Sequence, residues 1–119
     1  MPFDIPIAEE IWTAKYRFAP PDGGGDESFA ETATRVAAAL AEAEAPGSRS
    51  EWQSRFHDAI AAFRFIPAGR IIAGAGTGRS VTLFNCFVMG TIPDNLAGIF
   101  EHLREAAQTM QQGLSLIHI

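Results

Sequence analysis

Apolar residues recur at helical spacing in several stretches of the chain, and three of these stretches lie before Pro67. Residues Ala8 to Arg17 predict a short helix, which a proline- and glycine-rich loop follows. Ser28 and Glu31 have the spacing of a capping box, so we expect a second helix to begin there and to end at Pro46-Gly47. The apolar face of this second helix contains Phe29, Ala33, Val36, Ala37 and Leu40.

Two further helices are predicted by the same reasoning. Ser50 and Gln53 repeat the capping-box spacing and predict the start of the third helix. We expect Pro67 to end it, because the residue before a proline is disfavoured in helical geometry. Asp94 is predicted to be the N-cap of the fourth helix. The apolar stripes are Trp52, Phe56, Ile60 and Phe63 in the third helix, and Leu96, Ile99, Phe100, Leu103, Ala107 and Met110 in the fourth.

The segment from Val81 to Met89 is rich in β-branched and aromatic residues without clean alternation. This pattern is typical of a strand buried on both faces, as in a parallel sheet or barrel. Before it, Pro67 to Arg70 predicts a turn or the start of a short helix. One buried strand does not form a sheet by itself, so either the chain oligomerises through this strand or the other strands lie in sequence beyond this chain. We favour the second alternative, and expect a mainly α fragment of an incomplete domain.

Composition and charge narrow the class of protein. The chain has 119 residues, 47% of them hydrophobic, which fits one globular domain and excludes wholesale disorder. A formal net charge of −5 argues against a nucleic-acid partner. No apolar run approaches the length of about 20 residues that a membrane helix needs, so we expect no membrane association and a cytoplasmic location. The three histidines, His57, His102 and His118, do not have metal-ligand spacing, and no metal site is expected.

Cys86 is the only cysteine of the chain, which excludes an internal disulfide and a cysteine metal cage. It lies within the apolar run Leu83 to Val88 and has two interpretations. A buried thiol would act as a small hydrophobic side chain. A redox thiol would need a second thiol as its partner, and this chain does not contain one. The residues alone leave both interpretations open.

Two other features carry alternatives of the same kind. The glycine-rich run Ala73 to Ser80 matches neither the phosphate-loop nor the dinucleotide-binding spacing. It is either a flexible connection or a backbone cradle for an anion, with Arg70 or Arg79 supplying positive charge. Asp94 is either a helix cap or a carboxylate that accepts hydrogen bonds from a ribose hydroxyl.

Two blocks of the sequence resemble adenosylcobalamin-dependent (class II) ribonucleotide reductases. The shorter block is Ile-Trp-Thr-Ala-Lys-Tyr-Arg-Phe at residues 11–18, and the longer runs from Phe63 to Gly113. The longer block includes Phe-Ile-Pro-Ala-Gly-Arg-Ile-Ile-Ala-Gly-Ala-Gly-Thr at 65–77 and Val-Thr-Leu-Phe-Asn-Cys-Phe-Val-Met-Gly-Thr-Ile-Pro-Asp at 81–94. The resemblance implies helices over residues 1–66 and the start of a ten-stranded α/β barrel over 67–113. Thr82 to Met89 would be the first barrel strand.

The resemblance also implies a function and residue roles. Such an enzyme reduces ribonucleotides, here expected to be ribonucleoside diphosphates, to deoxyribonucleotides for DNA synthesis, by thiyl-radical chemistry that adenosylcobalamin initiates. Cys86 matches the redox cysteine that reduces the ribose and pairs with a distant second cysteine. Pro67, Ala68, Asn85 and Cys86 match positions that line the substrate nucleotide. Asp94 matches an aspartate that contacts the dNTP or ATP effector. A thioredoxin-like reductant and a homodimer of the full-length protein are implied as partners.

The last six residues, Leu114 to Ile119, depart from the family pattern. They resemble a translated sequencing adapter, so we expect residues 114–119 to be an artefact and the chain to be a truncated fragment. Most of the cobalamin site and the second redox cysteine would then lie outside it, and the fragment alone is expected to be inactive. The alternative is a short regulatory or nucleotide-binding interaction module without catalysis.

Overall fold

The computed structural model describes residues 3–113 and 115–118 of the chain. It forms two compact units, the first ending at Leu83 and the second beginning at Phe84. The chain is mostly helical, as predicted. The first unit contains α1 (Pro6–Ile11), a π-helix (Trp12–Tyr16), α2 (Phe29–Ala41), α3 (Arg49–Ala61) and α4 (Gly69–Gly74). The second unit contains β1 (Cys86–Met89), α5 (Leu96–Gln111) and β2 (Ser115–His118).

Helix α2 provides the centre of the first unit. The Ser28 hydroxyl accepts a hydrogen bond from the Glu31 backbone N–H at 3.3 Å, which confirms the predicted cap. The Glu31 carboxylate accepts from the Glu27 backbone N–H at 2.7 Å, one residue before the partner that a capping box would use. The buried core contains Trp12, Phe29, Ala33, Val36, Ile60 and Ala75, with Phe3 and Tyr16 packed against it.

The predicted capping box at the start of α3 is wrong. The helix begins at Arg49, so Ser50 lies inside its first turn. Ser48 occupies the N-cap position, but its hydroxyl donates to the Ala45 carbonyl at 3.1 Å and does not cap the helix. The turn that precedes the helix therefore decides where the helix starts.

Helix α3 also ends earlier than predicted, at Ala61 and not at Pro67. Phe63 adopts a left-handed backbone with φ of 53°. The Phe63 N–H donates to Ile60 O at 3.0 Å and the Arg64 N–H donates to Ala59 O at 2.9 Å, which are the two bonds of a Schellman motif. Glycine usually takes this position, and another residue costs about 1–2 kcal/mol there. The Phe63 ring stacks on Phe29 with centroids 4.7 Å apart, which offsets part of this cost.

The strand of the second unit is shorter and more exposed than predicted. It covers Cys86–Met89 instead of residues 82–89, and its side chains alternate between exposed and half-buried. It pairs in parallel with β2, with Cys86 opposite Ser115 and Met89 opposite His118. The prediction that this strand is buried on both faces is therefore wrong for the described residues. The prediction that it has no partner strand in this chain is also wrong for them. Two strands and one helix do not enclose both faces of a sheet.

The prediction that residues 114–119 are an artefact is not tested by this pairing and stays a prediction. Leu114 and Ile119 lie outside the described residues. The predicted division of the chain at residues 66 and 67 also stays a prediction, because it concerns domains of a longer protein.

Helix α5 begins one residue later than predicted. Asn95 is its N-cap, and the Asn95 side-chain oxygen accepts from the Gly98 backbone N–H at 2.8 Å. The assignment of Asp94 as the cap is wrong because Asn95 has the extended backbone of a cap residue and its carbonyl accepts the first helical hydrogen bond. In the part of the chain that the structure describes, no helix combines the length and apolarity needed to cross a membrane.

Candidate functional site

Cys86 is the first residue of β1 and its side chain is exposed. Of the two interpretations of this thiol, a buried hydrophobic role does not fit its exposure in this structure. A thiol must be accessible to exchange with another sulfur or to reduce a bound substrate. Asn85 directly precedes the strand and is exposed as well. The structure therefore presents Asn85 and Cys86 side by side at the start of β1.

Pro67 and Ala68 lie at the entrance of α4. Pro67 is buried, whereas Ala68 is exposed at the N-cap position of the helix. The Ala68 carbonyl accepts from the backbone N–H groups of Ile71 at 2.9 Å and Ile72 at 3.2 Å. These bonds join the Pro67-Ala68 turn to the helix. The four residues predicted to line the substrate thus form two pairs, one in each compact unit.

Asp94 is exposed and lies just before α5. Because Asn95 satisfies the Gly98 N–H, capping does not explain the carboxylate of Asp94. The alternative interpretation, a contact with a ribose hydroxyl of an effector, is not tested by the geometry and stays a prediction.

Sequence reasoning missed a buried ion pair between Asp26 and Arg35. The Asp26 carboxylate accepts from Arg35 Nη2 at 2.8 Å and Nε at 3.0 Å, from Thr32 Oγ1 at 2.7 Å and from the Phe18 N–H at 3.1 Å. Burial by itself raises the pKa of Asp26. The hydrogen bonds from Arg35, Thr32 and Phe18, together with the charge of Arg35, outweigh it and lower this pKa below its ordinary value of 3.8.

The guanidinium of Arg35 also reaches α4. Its Nη2 donates to the Ile72 carbonyl at 3.0 Å, and its Nη1 donates to the Ala75 carbonyl at 2.5 Å. On the other side of the network, Trp12 Nε1 donates to Thr32 Oγ1 at 3.1 Å. The sequence signal for this network was the single basic residue of α2, placed one position before Val36 of its apolar face.

The glycine-rich run has a structural explanation. Gly76 has φ of 71°, and a Cβ on it would lie 2.9 Å from both Cγ and the backbone oxygen of Arg35. Glycine is therefore required where the chain passes over Arg35. Thr77 stabilises the turn through its hydroxyl, which donates to the Gly74 carbonyl at 2.8 Å. The alternative of an anion cradle with Arg70 or Arg79 stays untested.

The described histidine side chains do not group together as metal ligands would. His57 Nδ1 lies 3.2 Å from the carboxylate of Asp58, and its side chain is 36% exposed. The side chain of His102 is only 14% exposed, and its Nδ1 lies 3.9 Å from the carboxylate of Glu105. The side chain of His118 lies outside the described part. Within residues 3–113 and 115–118, no three His, Cys, Asp or Glu side chains group as a metal site would require.

Residues 4–80 match the protein family described as the all-alpha domain of ribonucleotide reductase. Over 75 residues, the chain is 39% identical to a ribonucleoside-diphosphate reductase subunit alpha from Synechocystis sp.. That alignment covers 62% of this chain and 9% of the relative, so the chain spans only a small part of the length of this curated relative. The family match contains Pro67 and Ala68 and ends before Asn85, Cys86 and Asp94.

Proposed function

Because this chain belongs to the family of the ribonucleotide reductase all-alpha domain, we propose that it is the N-terminal segment of the alpha subunit of a ribonucleotide reductase. The whole protein would reduce ribonucleoside diphosphates to deoxyribonucleotides for DNA synthesis. The observation that carries the proposal is the family match over residues 4–80, and the named relative supports the same reaction class. The isolated segment is proposed to be inactive.

Cys86 is proposed to be one of two thiols that supply the electrons. In the overall reaction the 2′ carbon–oxygen bond of the ribose breaks, a carbon–hydrogen bond replaces it, and the hydroxyl leaves as water. Two thiols are oxidised to one disulfide, which provides the two electrons and two hydrogens that the reaction consumes. Cys86 is the only cysteine of this chain, so a cysteine elsewhere in the longer protein is the proposed second thiol. The exposure of Cys86 supports this role.

Substrate and effector contacts are proposed at the positions that match the family's motifs. Pro67, Ala68, Asn85 and Cys86 are each proposed to contact the nucleotide, following the sequence resemblance. Asp94 would contact the sugar of a dNTP or ATP effector. An exposed carboxylate that capping does not occupy supports the second role.

Adenosylcobalamin is the proposed source of the radical, following the sequence resemblance. Surface cavities among the described residues measure, for example, 460 Å³ beside Glu9 and 230 Å³ beside His102. Such volumes suit small ligands and not a corrin macrocycle with its nucleotide arm. Neither of these two cavities fits this cofactor, and other parts of the longer protein are proposed to bind it.

The remaining partners follow from the same proposal. A thioredoxin-like protein would regenerate the thiols, and the full-length protein would be a cytoplasmic homodimer. In the second unit, Leu96, Phe100 and Leu103 of α5 are 72%, 60% and 59% exposed. Contacts of α5 with the rest of the enzyme would cover these side chains.

The test uses the longer protein that carries this segment, assayed for deoxyribonucleotide formation with and without adenosylcobalamin. We expect turnover only with the cofactor and a dithiol. Cys86→Ser should abolish product formation while binding of CDP is retained, because the variant removes one of the two electron-donating thiols. Ser54→Ala, a change of one polar atom on the exposed side of α3, is the control and should leave turnover unchanged.

Full turnover of Cys86→Ser with an external dithiol would overturn the role of this thiol. Turnover without adenosylcobalamin but with an iron or manganese radical subunit would overturn the cofactor assignment alone. Nucleotide binding without any reduction, in the presence of every component, would instead favour the regulatory or nucleotide-binding module.

A further inference from the structure

We propose that Arg35 and Asp26 are positioning residues for the nucleotide substrate, acting through helix α4 on the Pro67-Ala68 turn. The inference rests on the proposed function, because that function assigns the turn to the substrate. Neither side chain is proposed to touch the nucleotide.

Helix α4 depends on contacts with other elements for its stability and its position. It has six residues, Gly69–Gly74, and so short a helix is unstable without tertiary contacts. Its backbone nevertheless fixes the preceding turn, since the Ala68 carbonyl accepts from the N–H groups of Ile71 and Ile72. The placement of the turn therefore depends on whatever holds α4.

Arg35 holds the C-terminal end of α4. Its guanidinium donates to the carbonyls of Ile72 and Ala75, which are among the carbonyls that a helix end leaves without an intrahelical partner. The same guanidinium donates two hydrogen bonds to Asp26. The side chains of Arg35 and Asp26 are only 11% and 5% exposed, so solvent hardly competes for these bonds. A planar guanidinium with both edges engaged has little freedom to move.

Tyr16 holds the N-terminal end of α4. A Cβ on Gly69 would lie 3.0 Å from Tyr16 Cε1 and 3.3 Å from its hydroxyl oxygen, so the ring rests against the first residue of the helix. Gly69 directly follows Ala68. Both ends of α4 are thus fixed by the N-terminal part of the first unit: one by Arg35 of α2, the other by Tyr16 of the π-helix.

The experiment compares variants at both ends of α4 in the longer protein. Arg35→Lys keeps the charge but loses the planar, two-edged guanidinium. Gly69→Ala pushes the helix away from Tyr16 while leaving Arg35 intact. The matched controls are Arg55→Lys, an exposed arginine paired with Glu51 on α3, and Gly47→Ala, where a Cβ would meet nothing within 4 Å. For each protein we measure KM and kcat, the Kd of CDP by calorimetry without cofactor, the Kd of a dNTP effector, and the melting temperature.

We expect KM and the Kd of CDP to rise on the order of tenfold in both variants, because a displaced turn loses part of its contact with the nucleotide, and a tenfold change in Kd corresponds to about 1.4 kcal/mol of binding free energy. The changes in kcat and in effector Kd should be small, and the controls should match the unsubstituted protein. General destabilisation of the protein would not raise the Kd of CDP while leaving the Kd of the effector unchanged. If Arg35→Lys does not fold, Gly69→Ala decides the matter.

If Arg35→Lys and Gly69→Ala both fold and bind CDP as tightly as the unsubstituted protein, the inference is overturned and the proposed function remains intact. Equal loss of CDP and effector binding would also overturn it, because a purely structural role predicts that result. If the unsubstituted protein binds no CDP, the proposed function fails, and this inference fails with it.

Discussion

The two compact units use similar helices in opposite ways. Helices α2 and α5 are both amphipathic, and a side-chain cap begins each of them. In α2 the apolar face is buried, with Phe29 only 5% exposed and Val36 fully buried. In α5 Phe100 and Leu103 are 60% and 59% exposed, and the buried residue of the helix is Ala106. Hydrophobic periodicity thus identifies which face of a helix is apolar, whereas the neighbouring elements decide whether that face is covered.

One ion pair from each unit shows the same difference. Asp26 is buried and Arg35 is largely buried, and the pair joins three segments of the first unit. On α5, Arg104 donates to Glu101 three positions earlier, and both side chains are more than half exposed. The hydrogen bond from Arg104 lowers the pKa of Glu101. Exposed pairs of this kind contribute little to stability, whereas removing one partner of a buried pair leaves the other as an unpaired buried charge.

The largest expected effect therefore comes from Asp26→Ala. It should lower the free energy of unfolding by about 4 kcal/mol, because Arg35 would remain buried without its carboxylate. Chemical denaturation of the 119-residue chain measures this loss. Asp58→Ala, which removes a carboxylate that is 63% exposed, is the control and should change stability by less than about 0.5 kcal/mol. Similar losses in both variants would contradict the structural role of the buried pair.

The same substitution in the two helices tests the comparison directly. Phe29→Ala should cost about 3 kcal/mol, near the lower end for a buried phenylalanine, because the neighbouring Phe3 and Phe63 lie at the edge of the core and can relax into the space. Phe100→Ala should cost less than about 0.5 kcal/mol in this chain, since the ring is exposed and alanine favours the helix. Unfolding midpoints of both variants in urea provide the measurement. A large loss in Phe100→Ala would show that the second unit buries more than this structure describes.

Acid should weaken the first unit through Asp26. The folded pKa of Asp26 lies below its ordinary value of 3.8, so the unfolded chain binds its proton more readily. The stabilisation is complete above about pH 5, decreases as the pH falls through 3.8 and is lost below the folded pKa. Denaturation curves between pH 3 and pH 7 should show this loss, and it should be smaller in Asp26→Asn. An identical pH dependence in the two proteins would exclude Asp26 as its source.

The smallest effects are expected at the two helix caps. Ser28→Ala and Asn95→Ala each remove a side-chain acceptor for a backbone N–H, which costs about 1 kcal/mol of helix stability. In α2 this loss should shift the unfolding midpoint of the whole first unit, because the helix forms its core. In α5 we expect faster hydrogen exchange of residues 96–99 with little change in the midpoint. A shift of the same size in both variants would indicate that the two units unfold together.

The sequence predicted helices where the apolar pattern and a cap agreed. Ser28 was identified correctly because a proline- and glycine-rich loop precedes it and an apolar face follows it. At α5, Asp94 and Asn95 are adjacent and both are good caps, so residue type could not separate them. At α3, the turn that ends in Ser48 determines where the helix starts. The capping-box spacing of Ser50 and Gln53 gives no information about this turn.

Of the candidate site residues, residue type alone singled out Cys86, as the single cysteine of the chain. The roles of Pro67, Ala68, Asn85 and Asp94 came from the family resemblance and stay predictions. The pair of Asp26 and Arg35 was not predicted, because the two residues lie nine positions apart across the start of a helix and charged side chains are usually exposed to solvent. Burial of both is a property of the tertiary packing, since Arg35 becomes enclosed only when Ile72 and Ala75 lie against α2.

The π-helix over Trp12–Tyr16 has a consequence for how this family can vary in length. Its closing bond runs from the Arg17 N–H to the Trp12 carbonyl, one residue further apart than in an α-helix. Deleting one residue there would turn Tyr16 by about 100° relative to Trp12, and the contacts with Gly69 and Thr32 could not both form. The exposed glycines 23 and 24 have open space around them, and we expect extra residues there to be tolerated better than in the helix. We therefore expect gaps between homologues to fall in the loop and not in the π-helix, because the contacts of residues 12–16 depend on the number of residues there.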